Sequence, residues 1–147
     1  MNLTFISKAA AEKIIPTHDM AIISIREPAE WVSLHKNWYI NNNALELEFH
    51  DVDLSEDIEQ IREYVYFDTE LAEQILDFVD SLVKKNINTL IIHCHAGISR
   101  SAAVDRALRG YLDIPLTRRE EEYSIYNRFV YRIISSAIYK RMLHSND

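Results

Sequence analysis

Leu90-Ile91-Ile92-His93-Cys94-His95-Ala96-Gly97-Ile98-Ser99-Arg100-Ser101 decides how the rest of the chain is read. Thr89–His93 is a short apolar run, the pattern of a buried parallel strand, and the sequence beyond the loop turns helical. Between strand and helix lie the only cysteine and one of the chain's two glycines. Glycine this scarce points to a backbone that requires it at Gly97. A loop running from a strand into a helix N-terminus turns several N–H groups into one concavity, which is an anion site.

Each loop residue then acquires a separate task. Cys94, at the start of that positive field, is favoured as its thiolate and is the candidate nucleophile. Arg100 offers a planar fork matched to two phosphate oxygens. Ser101 is placed to donate a hydrogen bond to the sulfur. Ser101 as a plain helix-start hydroxyl is the competing reading. His93 shapes the loop by hydrogen bonding. His95, Ala96, Gly97, Ile98 and Ser99 contribute backbone amides to substrate binding together with Arg100. A zinc site built from His93, Cys94 and His95 is disfavoured, because adjacent residues diverge and no second ligand pair follows.

His-Cys-x5-Arg-Ser resembles the signature of the cysteine-dependent protein tyrosine and dual-specificity phosphatases. The string HCHAGISRS is most similar to the dual-specificity branch. Weaker matches to small bacterial and phage members occur at Ile22–Pro28 and Asn127–Arg132, so the resemblance spans roughly residues 21–140. It implies a phosphocysteine intermediate, a phosphorylated protein substrate and no cofactor or metal. It also implies an aspartate general acid on a loop just after a strand. Asp51, following Leu45–Phe49, matches that place best, and Asp53 is the reserve. Asp57 and Asp68 are outside candidates. The spacing from Asp51 to Cys94 exceeds the family's usual one by an insertion over Leu54–Phe67, a potential lid or substrate wall.

The remaining chain completes an α/β pattern. Strands are expected at Leu3–Ile6, Met20–Ile25 and Leu45–Phe49, the last by its alternation. A short helix over Ser7–Ile15 would be stopped by Pro16. A helical turn over Pro28–Lys36 would bury Trp31 and Leu34, with another turn near Asp57–Arg62. Asp68 caps a helix whose apolar face carries Leu71, Ile75, Phe78, Val79 and Leu82, closed by Lys84-Lys85-Asn86. The helix after the loop is expected to end at Gly110 as a left-handed cap. Thr117 and Glu120 form a capping box for a further short helix. A long helix over Ser124–Met142 sets Phe129, Val130, Ile133, Ile134, Ala137 and Ile138 inward. The fold class is a central, mostly parallel sheet flanked by helices, with a helical C-terminal third.

At 147 residues with 48% hydrophobic and 27% charged residues, one globular domain over residues 1–147 is expected. A net charge of −7 argues against nucleic acid or an anionic membrane as partner. A single cysteine excludes an internal disulfide, and no leader or membrane-spanning run is visible, so a cytoplasmic location is expected. Two other classes compete. One is a phosphate- or phosphopeptide-binding module that has lost catalysis. The other is a rhodanese-like sulfurtransferase, against which Ser101 and the helical C-terminal third speak.

Overall fold

A computed structural model of the chain describes residues 1–53, 63–118, 120–123 and 125–145. Four parallel strands form one sheet: β1 (Asn2–Ser7), β2 (Met20–Arg26), β3 (Ala44–Glu48) and β4 (Thr89–Cys94). Their spatial order is β1-β4-β2-β3, so the strand carrying Cys94 is central. Both of its edges are paired, with Ser7 against Cys94 and Ser24 against His93. Parallel strands covered on both faces read as continuous apolar runs, and β2 and β4 do so.

Side chains alternate across the sheet, which separates two cores. Ile23, Ile25, Leu90 and Ile92 face helices α3 (Thr69–Lys84), α4 (Arg100–Leu112) and α5 (Arg128–His144). On the opposite face Ile22 and Ile91 pack with Ala11 of α1 (Lys8–Ala11) and Trp38 of α2 (Asn37–Ile40). The architecture matches the expected α/β class. No helix among the described residues is long and apolar enough to cross a membrane.

Several local expectations need correction. The first helix is a single turn ending at Ala11, capped by the Ser7 hydroxyl. No helix forms over Pro28–Lys36, and Trp31 stands 80% exposed with Leu34 only half-buried. The buried tryptophan is Trp38, on α2. Gly110 lies inside α4, with open space where a side chain would point. The helix runs on to Leu112 because Tyr111 and Leu112 pack against the core, and Asp113 takes the left-handed position instead. The Thr117 hydroxyl accepts from Arg109, Glu120–Tyr123 is a 3-10 turn, and the Glu120 half of the expected capping box lies outside the described side chains. The long C-terminal helix begins at Arg128, with Asn127 as its cap. Asp57 and the turn near Asp57–Arg62 lie outside the described residues.

Candidate active site

All four strands deliver a residue to one pocket at the carboxyl edge of the sheet, the usual ligand position in an open α/β sheet. Lys8 follows β1, Glu27 and Glu30 follow β2, Asp51 follows β3, and the Cys94–Arg100 loop follows β4. The pocket has a volume of about 510 Å³.

The loop closes around the sulfur. Cys94 Sγ accepts from the Gly97 N–H at 3.3 Å and lies 3.1 Å from Ser101 Oγ. Gly97 has φ +74°, and a Cβ there would lie 2.4 Å from backbone atoms of Ile6 and Ser7. Both the dihedral and the close approach demand glycine. The Lys8 N–H donates to His95 O, fastening the loop to the end of β1.

Arg100 is only 4% exposed, a costly place for a guanidinium without partners. Its Nη1 donates to Phe49 O at 2.8 Å, which fixes the side chain against the end of β3. Its Nε is buried with no partner among the described residues. An orphaned, positively charged donor on a residue that lines the pocket fits a bound oxyanion.

Asp51 reaches the same pocket. Its Oδ1 accepts from Ser99 Oγ at 2.9 Å and from Asn127 Nδ2 at 2.8 Å, which fixes the carboxylate from two sides. Asp53 is used differently: its carboxylate accepts from the Arg128 and Phe129 N–H groups at the start of α5. Asp68 caps α3 by accepting from the Leu71 N–H. Of the acids named from the sequence, Asp51 is the one that lines the pocket among the described residues.

His93 points to the opposite face of the sheet from Cys94. Its Nδ1 lies 3.2 Å from Cys94 O and its Nε2 lies 2.6 Å from Ser24 Oγ. Burial holds the imidazole below its ordinary value, and nearby Arg26 pushes the same way. His95 is exposed and contacts Glu30 Oε2 at 3.3 Å. Burial works to raise the Glu30 carboxyl, but the Glu27 N–H, His95 and Lys8 outweigh it and hold the group below its usual range.

The sequence assigns no site role to Lys8, Glu27, Glu30 or Asn127, although Glu27 and Asn127 fall within the two weaker family-like stretches. The first three occupy carboxyl-edge positions that become recognisable once the strands are paired. Asn127 depends on a contact spanning 76 residues, for which no local signal exists.

The chain shares its fold with solved tyrosine phosphatase-like structures. Among solved structures, PTPMT1 aligns with a TM-score of 0.59 at 10% identity, over 99% of this chain and 94% of its own. PTPMT1 in complex with PI(5)P gives 0.58 at 11% identity, over 98% and 94%. The human tyrosine phosphatase-like serine/threonine/tyrosine-interacting protein gives 0.55 at 18% identity, over 99% and 94%. No protein-family model and no curated protein matches the sequence.

Proposed function

We propose that the protein is a phosphomonoesterase that acts through a phosphocysteine intermediate, with phosphotyrosine in proteins as its leading substrate and phosphoserine and phosphothreonine as further ones. The observation that carries the reading is the convergence of Cys94, Arg100 and Asp51 on one pocket. In the first step Cys94 Sγ attacks phosphorus while the bond to the ester oxygen breaks, and Asp51 gives that oxygen its proton. Arg100 and the loop amides hold the non-bridging oxygens as charge builds on them. In the second step Asp51 takes a proton from water, the water oxygen attacks phosphorus, and the P–S bond breaks. Ser101 donates to the departing thiolate, which suits its 3.1 Å separation from the sulfur.

Two other readings use the same loop. A binding module would keep the phosphate cradle without turnover, and one structural neighbour is itself described as a phosphatase-like interacting protein. Persulfide transfer has no use for an acid over the loop, so Asp51 weighs against a sulfurtransferase. The bound PI(5)P of another neighbour widens the candidate substrates to phosphorylated lipids.

Hydrolysis of p-nitrophenyl phosphate tests the reading. Wild-type turnover is expected, with Cys94→Ser inactive and Asp51→Asn reduced about 100-fold in kcat. An inert wild type that still binds a phosphopeptide would transfer the conclusion to the binding module. Thiosulfate-to-cyanide sulfur transfer would transfer it to the sulfurtransferase.

A further inference from the structure

Behind the nucleophile loop a row of polar side chains crosses the sheet on the face that carries α1 and α2. The row follows the strand register, in which Ser24 of β2 pairs with His93 of β4 on one side and with Glu46 of β3 on the other. Ser24 and His93 are both fully buried. Arg26 Nη2 donates to Ser24 Oγ at 2.7 Å and to Glu46 Oε1 at 3.2 Å. Tyr39 OH donates to the same Glu46 oxygen at 2.6 Å. Ser24 Oγ is 2.6 Å from His93 Nε2, and His93 Nδ1 is 3.2 Å from Cys94 O.

The proton positions along this row follow from what each group can do. A guanidinium only donates, so Ser24 Oγ accepts from Arg26. Ser24 is fully buried and its other side-chain partner among the described residues is His93 Nε2, so its single hydroxyl proton points there and Nε2 is an acceptor. A carbonyl oxygen only accepts, so the proton of the imidazole must be on Nδ1, facing Cys94 O. The reverse tautomer would set an Nδ1 lone pair against a carbonyl lone pair and leave the buried Ser24 hydroxyl proton with no acceptor among the described residues. Neither Ser24 nor Arg26 lines the pocket.

We infer that Ser24 and Arg26 are positioning residues, which lock His93 in its Nδ1–H tautomer and through it hold the Cys94 backbone in the attacking geometry. Glu46 and Tyr39 anchor the outer end, so a contact on the edge strand is transmitted to the nucleophile. This inference rests on the phosphatase reading for its kinetic consequence but not for its structural one.

The test uses the full chain. Long-range nitrogen–proton correlation spectra report which imidazole nitrogen carries the proton, with His93→Asn assigning the signal. Wild-type His93 is expected as the Nδ1–H form. Arg26→Met leaves everything next to Cys94 in place but removes the donor that holds the Ser24 hydroxyl with its proton towards His93. It is expected to populate the Nε2–H form and to lower kcat/KM for p-nitrophenyl phosphate about tenfold. Ser24→Ala should do the same, and Ser24→Thr, which keeps the hydroxyl, should restore both readouts. A wild-type Nε2–H form, variants that retain Nδ1–H, or a tautomer shift with unchanged kcat/KM would each overturn the inference. Wild type inert toward phosphomonoesters would instead remove the phosphatase reading, with the tautomer still decided by the spectra.

Discussion

At Gly97 the loop backbone passes so close to the end of β1 that no side chain fits between them. The clash distances of 2.4 Å are to backbone atoms, which cannot rotate aside. The positive φ adds a conformational penalty of about 1–2 kcal/mol for any residue with a Cβ. Gly97→Ala must therefore displace the loop, and the Gly97 N–H would leave the Cys94 sulfur. Misplacing reacting atoms by about 1 Å costs on the order of 100-fold in rate, and we expect Gly97→Ala to lose at least that in kcat/KM. A loss under about threefold, measured with p-nitrophenyl phosphate on folded protein, would contradict the packing described. Gly110 is the internal control. It sits in α4 with nothing within 4 Å of where an added methyl would stand, and Gly110→Ala should raise stability by roughly 0.5–1 kcal/mol.

Helix α5 is joined to the site by its first turn. Asn127 Oδ1 accepts from the Val130 N–H at 2.9 Å, while its Nδ2 donates to Asp51 Oδ1 and to Val52 O. One side chain thus caps a helix and aims the acid. Asn127→Ala should cost about 1–2 kcal/mol of stability from the lost cap and also lower kcat, because among the described residues Asp51 then keeps Ser99 alone. Asn127→Asp separates the two effects: it keeps the cap acceptor but sets a second carboxylate beside Asp51. Its melting temperature should stay near wild type while kcat falls, and equal kcat for Asn127→Asp and wild type would show that Asn127 serves α5 alone. The same contact explains what was legible beforehand. The Cys94–Ser101 loop is read easily because its meaning is contained in one contiguous stretch. Only position after a strand ranks Asp51 above Asp53 in the sequence, since what separates them physically is α5, some 75 residues away: Arg128 and Phe129 take Asp53, and Asn127 takes Asp51. Composition also misled at Pro28–Lys36, where a large aromatic suggested a buried turn. Pro28 with Ala29 at φ +67° instead makes a tight turn closed by Glu30 N–H to Glu27 O, which leads the chain outward at Trp31. Alanine at a left-handed position gives no warning in a sequence. Gly110 misled the other way, because a glycine near a helix end resembles a cap until Tyr111 and Leu112 are seen to need the core.

At the scale of the molecule, several buried charged and polar side chains among the described residues are tied to one another, while Arg26 Nε, Trp38 Nε1, Asn43 Oδ1, Arg100 Nε and Asp105 Oδ2 are buried there without a partner. Asp105 Oδ1 accepts from Arg109 Nε and from Tyr123 OH, while Arg109 also reaches Leu3 O and Pro115 O. This cluster joins β1 to the segment after α4. His93 is a buried group whose ordinary value lies near neutrality. Burial holds it below its ordinary value of 6.5, so it is neutral in the folded state at pH values where the unfolded chain is already protonated. Within that window the unfolded state binds more protons, and stability rises with pH. On acidification the contribution is fully present above about 6.5 and is lost as pH falls towards the lowered folded-state value, by at most about 1.4 kcal/mol per pH unit. Glu30 acts in the same direction but further down, because its carboxyl lies below the usual 4.5 and its contribution is lost only as pH falls through that lowered value. Denaturant midpoints measured between pH 7.5 and pH 5 should therefore fall with pH for wild type. His93→Asn, although less stable throughout, should show a flatter profile over the same interval. Parallel profiles for the two proteins would mean that His93 is already accommodated as a cation in the folded sheet. That would break the hydrogen-bond row from Arg26 to Cys94, because a doubly protonated imidazole cannot accept from Ser24.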